Sequence, residues 1–340
     1  MATLRDVAQL ADVSEATVSL VLNNRPGPKR ETRDRVLAAA QRLRYSPNTN
    51  ARNLATRTYD AVGLIVTDIE NPFFGSITKY ANQFLAQRGC SMILSVSGED
   101  LDTETQGILN LVQRGVRGLI VAPTQLSRRD LAIFYDVEER GIPIVFVSNY
   151  YSGLSCRRVL TDYRAGSYQL THYLLELGHR DIRFLVSSDP DAPISLERVA
   201  GFKAAYEYLG IPVPDQAIVP CPRPDYQSGY HVASRLLESD RPDALLAIND
   251  VMALGAKHAA RAVGLRIPDE LSVAGYDDVV FASIAEVPLT TVRQRIDEIS
   301  RIAVDMLLDE EHRYPDEVRV RPELVVRAST APVRHHYTNR

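Results

Sequence analysis

Two stretches near the start of the chain decide its first domain: Thr3-Leu-Arg-Asp-Val-Ala8 and Val13-Ser-Glu-Ala-Thr-Val-Ser-Leu-Val-Leu-Asn23. Thr3 and Asp6 have the spacing of an approximate capping box, and Ser14 is a typical helix-capping residue before the second apolar run. The apolar side chains of both stretches recur at helical spacing. The sequence therefore predicts two short helices joined by a tight turn. A helix-turn-helix of this kind places its second helix in the major groove of DNA.

The predicted second helix has an apolar side and an outward side. Val18, Val21 and Leu22 face inward in this interpretation, which leaves outward Glu15, Ala16, Ser19 and Leu20. A third helix is predicted over 32–45, with inward residues Val36, Leu37, Ala40 and Leu43. Periodicity alone favours a small three-helix bundle without a DNA-binding role.

Bulk composition describes an ordinary globular chain. Its 340 residues suggest two or three domains, with 45% hydrophobic and 24% charged residues. No apolar run is long enough to span a membrane, and no export signal is apparent at the start. The three cysteines match no metal or redox motif, so we expect buried thiols, no metal site and a cytoplasmic protein.

Charge is unevenly distributed along the chain. Residues 1–60 hold ten Lys/Arg and six Asp/Glu, a balance of +4, whereas the remainder holds 29 and 37, a balance of -8. The basic charge of residues 1–60 is typical of a segment that binds the phosphates of DNA. An ordinary charged surface in contact with solvent would give the same balance.

From residue 61 onward, apolar strands alternate with helical stretches. Strands are predicted at 62–66, 92–96, 118–122 and 144–147, then at 182–186, 217–219, 244–248 and 272–274. Fully apolar strands between helices indicate parallel sheets covered on both faces. We therefore expect an all-α head followed by an α/β core of two doubly wound lobes. Ligands of such folds bind beyond the carboxyl ends of the strands.

Eight ordered motifs give the chain its family resemblance. They are Thr3-Leu-Arg-Asp-Val-Ala8, Val13-Ser14 with Thr17-Val-Ser19, Tyr45-Ser-Pro-Asn48, Ala51-Arg-Asn-Leu54, Asn71-Pro-Phe-Phe74, Gly178-His-Arg180, Asn249-Asp250 with Met252-Ala-Leu-Gly255, and Val273-Ala-Gly-Tyr-Asp277. In these motifs the chain resembles the LacI-type (lactose-repressor/purine-repressor) family of bacterial transcriptional regulators. The resemblance implies a periplasmic-binding-protein-like core, a homodimer and a near-palindromic operator in double-stranded DNA.

The same resemblance divides the chain. A helix-turn-helix domain is expected over 1–45 and a hinge helix or linker over 46–60. The effector-binding and dimerisation core covers 61–340, with lobe 1 at about 61–161 plus 292–325 and lobe 2 at about 162–291. The ending Arg334-His-His-Tyr-Thr-Asn-Arg340 has no leucine heptad, so a dimer is expected rather than a tetramer.

DNA contacts follow by position in the family. Glu15, Ala16 and Leu20 occupy places that contact base edges, where a carboxylate accepts from cytosine and apolar groups meet thymine methyls. Arg25 is expected at a base or a phosphate, and Leu54 as a minor-groove wedge that unstacks a base step. The remaining DNA-binding positions, mostly directed at phosphates, are Thr3, Ser14, Thr17, Ser19, Asn23, Tyr45 and Ser46.

Effector contacts are expected at strand ends in both lobes. The candidate ligand-binding residues are Asn71, Phe73, Phe74, Ser148, Asp162, Arg198, Asn249, Asp277 and Gln294. Planar polar groups with aromatic faces suit a sugar or polyol, while Phe73-Phe74 would also stack a nucleobase or nucleoside. Ser148-Asn149 stands where many sugar-responsive members have an Asp-Arg pair. No cofactor is expected besides this small-molecule effector.

These residues predict a switch with two coupled sites. Effector binding would close the lobes and change operator affinity, most simply releasing a repressor from a catabolic operon at the nucleoid; the opposite sign, a corepressor, stays open. The rival interpretations are a solute-binding protein without DNA function and an enzyme. The sequence contains no phosphate loop, nucleophile elbow or metal cluster that would favour an enzyme.

Overall fold

The computed structural model describes residues 2–22, 26–45, 60–124, 126–127, 130–189, 191–309, 311 and 313–333. The chain forms two compact units, Met1–Thr58 and Tyr59–Arg340. The first unit contains α1 (Leu4–Ala11), α2 (Glu15–Leu22) and α3 (Arg30–Arg42). The predicted capping box is confirmed, because the Asp6 amide donates to Thr3 Oγ1 at 3.2 Å and the Thr3 amide donates to Asp6 Oδ2 at 2.8 Å.

A small apolar core holds the three helices together. It is built on Val7, Val18, Val21 and Val36, all buried. The prediction that Leu37 faces inward is wrong, since this side chain is 47% exposed. Helix α3 also starts and ends earlier than predicted. Its buried stripe follows the spacing of residues 36, 39, 40 and 43, and position 37 lies about 100° off the first of these.

The first lobe of the second unit is a parallel sheet between helices. Its strands are β1 (Ala61–Val66), β2 (Ser91–Val96), β3 (Leu119–Val121), β4 (Ile144–Val147) and β5 (Arg157–Thr161), separated by α4 (Pro72–Gln87), α5 (Leu101–Gln113) and α6 (Ala132–Glu139). Their spatial order is β5-β4-β3-β1-β2. The order places the ends of β1, β3 and β4 side by side at one rim.

The second lobe repeats this plan. Its strands are β6 (Ile182–Ser187), β7 (Ile218–Cys221), β8 (Ala244–Ala247) and β9 (Ser272–Ala274), with helices α7 (Tyr163–Glu176), α8 (Pro193–Tyr208), α9 (Tyr226–Ser239), α10 (Asp250–Ala262) and α11 (Val280–Ile284). The order β7-β6-β8-β9 is again parallel. Each predicted apolar run overlaps a strand, so the predicted fold class is confirmed.

After the second lobe the chain crosses back to the first. Strand β10 (Thr291–Arg293) leads to α12 (Ile296–Leu308), which packs in the core of lobe 1, and then to β11 (Glu317–Val320), which pairs with β5 at the sheet edge. Strand β12 (Glu323–Val325) pairs with β10 as an antiparallel ribbon. None of these four elements is among those predicted from the sequence, and neither is β5.

Strand β2 differs from its prediction in burial. It was expected to be covered on both faces, but it is the edge strand of its sheet, with Leu94 38% and Val96 40% exposed. In the described part of the chain, no helix has the length and apolar content needed to cross a membrane.

Helices α9 and α10 approach so closely that glycine is required at their crossing. A Cβ at Gly229 would overlap the Met252 carbonyl oxygen, and one at Gly255 would overlap that of Tyr226. Neither contact can be relieved by a side-chain rotation, because both partners are backbone atoms.

Replacing Gly255 with alanine is therefore expected to lower the free energy of unfolding by roughly 1–3 kcal/mol through overpacking. Gly75 in α4 is the matched control, because only the Ile69 carbonyl oxygen lies within 4 Å of an added Cβ, at 3.9 Å. Gly75→Ala should stabilise the helix by up to about 1 kcal/mol. Urea unfolding followed by circular dichroism checks both, and equal effects of the two variants would contradict the close crossing.

Candidate functional site

The head presents the outward face predicted for its second helix. Glu15, Ala16 and Leu20 are exposed on α2, and Leu20 is 37% exposed although it is apolar. Ser14 Oγ accepts from the Thr17 amide at 3.2 Å, so this hydroxyl caps α2.

The other predicted DNA-binding positions divide into two groups. Thr3 caps α1, Thr17 and Ser19 are half-buried, and Tyr45 packs against the apolar core of the head. Asn23, Arg25, Ser46 and Leu54 lie outside the described residues, as does the predicted hinge helix. Their assignments remain predictions.

In the core unit, three predicted ligand residues meet in one polar chain. Asp277 Oδ1 accepts from Gln294 Nε2 at 2.6 Å, and Gln294 Oε1 accepts from Thr161 Oγ1 at 2.5 Å. Arg198 Nη2 lies 3.9 Å from Asp277 Oδ1, an ion-pair distance without a hydrogen bond. These residues, which lie between 17 and 133 positions apart in the sequence, converge where β5, β9 and β10 meet.

The Arg198 guanidinium is almost completely buried, at 4% exposure. Its Cζ lies 4.6 Å from the centre of the Tyr163 ring and 4.3 Å from that of Tyr276, and its Nη1 donates to the Ile248 carbonyl at 2.5 Å. The Nε atom has no hydrogen-bond partner. Helix α8 begins at Pro193, so Arg198 sits in its second turn.

Burial changes the acid strength of the carboxyl groups here. Loss of solvent raises the pKa of Asp277 to about 7, against the opposing effects of the Arg198 charge and the Gln294 hydrogen bond. Burial, together with the nearby Asp277 charge, also holds the pKa of Asp250 well above its ordinary value. Asp277 therefore changes between a donor and a pure acceptor of hydrogen bonds near neutral pH.

A cavity of about 200 Å³ adjoins this group. Phe73 from lobe 1 lines it together with Asp277 and Gln294. Phe74 does not line this cavity; its ring lies in the lobe 1 core, with its centre 5.1 Å from that of Phe73 in an edge-to-face contact. Among the described residues, no group of three His, Cys, Asp or Glu side chains could hold a metal ion.

Three of the predicted ligand residues cap helices. Asn71 Oδ1 accepts from the Phe73 amide at 3.1 Å, Asp162 Oδ1 from the Ala165 amide at 2.9 Å, and Asn249 Oδ1 from the Met252 amide at 2.8 Å. The Asn249 amide group also donates to the Pro224 carbonyl at 2.7 Å. These side chains are fixed in place at the starts of α4, α7 and α10, but part of their hydrogen-bonding capacity is already used.

The two tyrosines around Arg198 are not among the site residues predicted from the sequence. Tyr163 directly follows Asp162 and Tyr276 directly precedes Asp277, so both are neighbours of candidate residues. Both are also fully buried, which resembles an ordinary core position. Only the folded arrangement shows that their rings face one guanidinium.

Comparison with known proteins identifies the family of this chain. Residues 3–48 match the model of the LacI family of bacterial regulatory proteins, and residues 171–330 match the periplasmic binding protein-like domain. The chain is 32% identical over 342 residues to the transcriptional regulator DegA of Bacillus subtilis, covering 97% of this chain and 98% of DegA. It is 35% identical over 338 residues to the repressor PurR of Salmonella typhi, covering 97% of each. The chain belongs to the LacI family.

Solved structures of this family resemble the whole fold. The Lac repressor dimer bound to operator and an anti-inducer is 28% identical, with a TM-score of 0.84, and covers 97% of this chain and 99% of its own. The regulator CelR in complex with cellobiose is also 28% identical, with a TM-score of 0.70, and covers 97% and 100%. This LacI-family chain is a ligand-responsive DNA-binding transcriptional regulator, and its relatives are regulators rather than enzymes. The rival enzymatic interpretation is therefore wrong.

The raised pKa of Asp277 predicts a pH-dependent stability. Between about pH 4 and pH 7 the folded state holds a proton that the unfolded state releases, so this carboxyl makes the fold less stable as the pH rises. Asp277→Asn cannot titrate and should not show this loss. The free energy of unfolding of the variant, measured relative to that of the wild type, should therefore be higher at pH 8 than at pH 5.

Asp189 provides the control, because the hydrogen bonds of the Ser127 and Asp191 amides hold its pKa below its usual range. The effect of Asp189→Asn should stay constant between pH 5 and pH 8. Urea unfolding at both values measures the differences, and a constant effect of Asp277→Asn would contradict the assignment.

Proposed function

We propose that this regulator represses transcription as a homodimer on a near-palindromic operator and is released by a sugar or polyol bound between the lobes. The observation that carries the effector assignment is the buried Arg198–Asp277–Gln294 group beside Phe73. A guanidinium and a carboxyl at fixed positions suit adjacent hydroxyl groups, and a phenyl ring suits the C–H face of a sugar.

Two relatives support the choice of a carbohydrate. The CelR structure contains cellobiose, and a LacI-family regulator from Enterococcus faecium, 28% identical with a TM-score of 0.71, contains ribose. Small neutral ligands of this kind offer the hydroxyl pairs that the polar group can bind.

A nucleobase or nucleoside is the second candidate. It is favoured by the Phe73 ring that lines the cavity and by the 35% identity to PurR. An aromatic ring can stack on a phenyl face or contact its edge. The burial of Phe74 away from the cavity weakens this candidate, because only one of the two rings is available.

The exposed face of α2 supports the DNA-binding role. Glu15, Ala16 and Leu20 are free of the head core and accessible to base edges. The dimer and the operator of the Lac repressor structure support a symmetric arrangement of two such heads. We propose that dimers act at chromosomal DNA in the cytoplasm.

A thermal-shift screen with D-ribose, cellobiose, adenosine and adenine tests the effector class. A ligand at one hundred times its Kd stabilises the folded state by about 2.7 kcal/mol, which raises the unfolding temperature. Arg198→Ala should abolish the shift given by the responding compound, because the charged anchor of the site is gone.

Arg183→Ala is the matched control. Arg183 is likewise buried in lobe 2, but its partners are Asp181 and Asp240. This variant should keep the shift. A shift that survives Arg198→Ala would refute the site, and a response to adenine or adenosine alone would replace the carbohydrate proposal by the second candidate.

A further inference from the structure

Tyr163 contacts both lobes through two different parts of one side chain. It is the first residue of α7 and is fully buried. Its hydroxyl donates to the Ser148 carbonyl in lobe 1 at 2.7 Å. Its ring faces the Arg198 guanidinium in lobe 2 at 4.6 Å.

The Ser148 end of this connection is conformationally defined. Ser148 directly follows β4 and has a φ of 68°, in the left-handed region that non-glycine residues seldom adopt. The Tyr163 hydroxyl donates to the Ser148 carbonyl, so this hydrogen bond joins the first residue of α7 in lobe 2 to the residue that follows β4 in lobe 1.

The Arg198 end is also constrained. The Tyr276 ring and the Ile248 carbonyl fix the guanidinium from within lobe 2, and the Tyr163 ring adds a further contact. A desolvated cation against aromatic faces is a strong and direction-dependent interaction. A displacement of the Tyr163 ring would leave part of the guanidinium without a partner.

Another link between the lobes is more exposed. Arg319 of β11 donates to both carboxylate oxygens of Glu197, at 2.6 and 2.9 Å, and the two side chains are 33% and 20% exposed. Ion pairs in contact with solvent contribute little to stability. The Tyr163 hydroxyl belongs to a fully buried side chain, so the loss of its hydrogen bond to the half-buried Ser148 costs more than the loss of an exposed ion pair.

We propose that Tyr163 is a positioning residue that couples lobe closure to the orientation of Arg198. When the lobes are closed, the hydroxyl is held by lobe 1 and the ring fixes Arg198 toward the cleft. When they open, the ring is released and the guanidinium loses one of its four contacts, while the Asp277 carboxyl, the Ile248 carbonyl and the Tyr276 ring stay with it. This inference rests on the proposed effector role of Arg198.

Tyr163→Phe separates the two contacts, because it removes the hydroxyl and keeps the ring. Spin labels on cysteines introduced at the exposed positions Asp136 in lobe 1 and Lys203 in lobe 2 report lobe separation, with labelled chains diluted in unlabelled ones. The population with open lobes should increase about fivefold, the effect of losing one ordinary hydrogen bond. Tyr206→Phe is the control, because its buried hydroxyl donates to the Arg180 carbonyl within lobe 2. It should leave the distances unchanged.

Tyr163→Leu tests the ring. The NMR signal of the Arg198 Nε–H group, assigned by its absence in Arg198→Lys, should shift in Tyr163→Leu and stay near its wild-type position in Tyr163→Phe. An unshifted signal in the leucine variant, or wild-type distances in the phenylalanine variant, would overturn the proposal. If the leucine variant does not fold, the phenylalanine variant decides alone. Both readouts need neither effector nor DNA, so a failed ligand screen is distinguishable from a failure here.

Discussion

A buried arginine imposes the strictest requirement on this cleft. A guanidinium removed from water is costly unless charge, hydrogen bonds or aromatic faces replace its hydration. At Arg198 these come from Asp277, the Ile248 carbonyl and the rings of Tyr163 and Tyr276. The supporting groups lie on α7, at the end of β8 and just beyond β9. The packing of lobe 2 is therefore also what orients the candidate effector site.

Regulation requires that this site distinguish two states of the core. A ligand shifts an equilibrium only by the difference between its affinities for the two states. The lobes offer such a difference, because Phe73 belongs to lobe 1 while Asp277 follows a strand of lobe 2. A ligand that contacts both would favour the arrangement in which they are closest. In the proposed mechanism, this preference is what changes the affinity of the head for its operator.

Features that depend on residues close together in the sequence could be predicted. Features that depend on contacts between distant residues could not. The capping box at Thr3 was predictable because its partners are three residues apart. The exposure of Leu37 was not predictable, because it depends on which side of α3 the other two helices pack against. A shift of one position along a helix is enough to turn a side chain away from that core. Strand Arg157–Thr161 begins with two arginines and lacks the apolar signature of its neighbours. The role of Tyr163 and Tyr276 depends on contacts with a residue at least 35 positions away. Spacing along the chain carries no signal for these contacts.

The central claim is that effector and operator bind one molecule with a reciprocal coupling. The direct measurement is the Kd of the compound that responds in the thermal screen, determined for the full chain with and without an operator duplex selected from a random pool. We expect the operator to weaken effector binding by the same factor, about 5–150-fold, by which the effector weakens operator binding. Equal effector affinities in the presence and absence of the operator would contradict it.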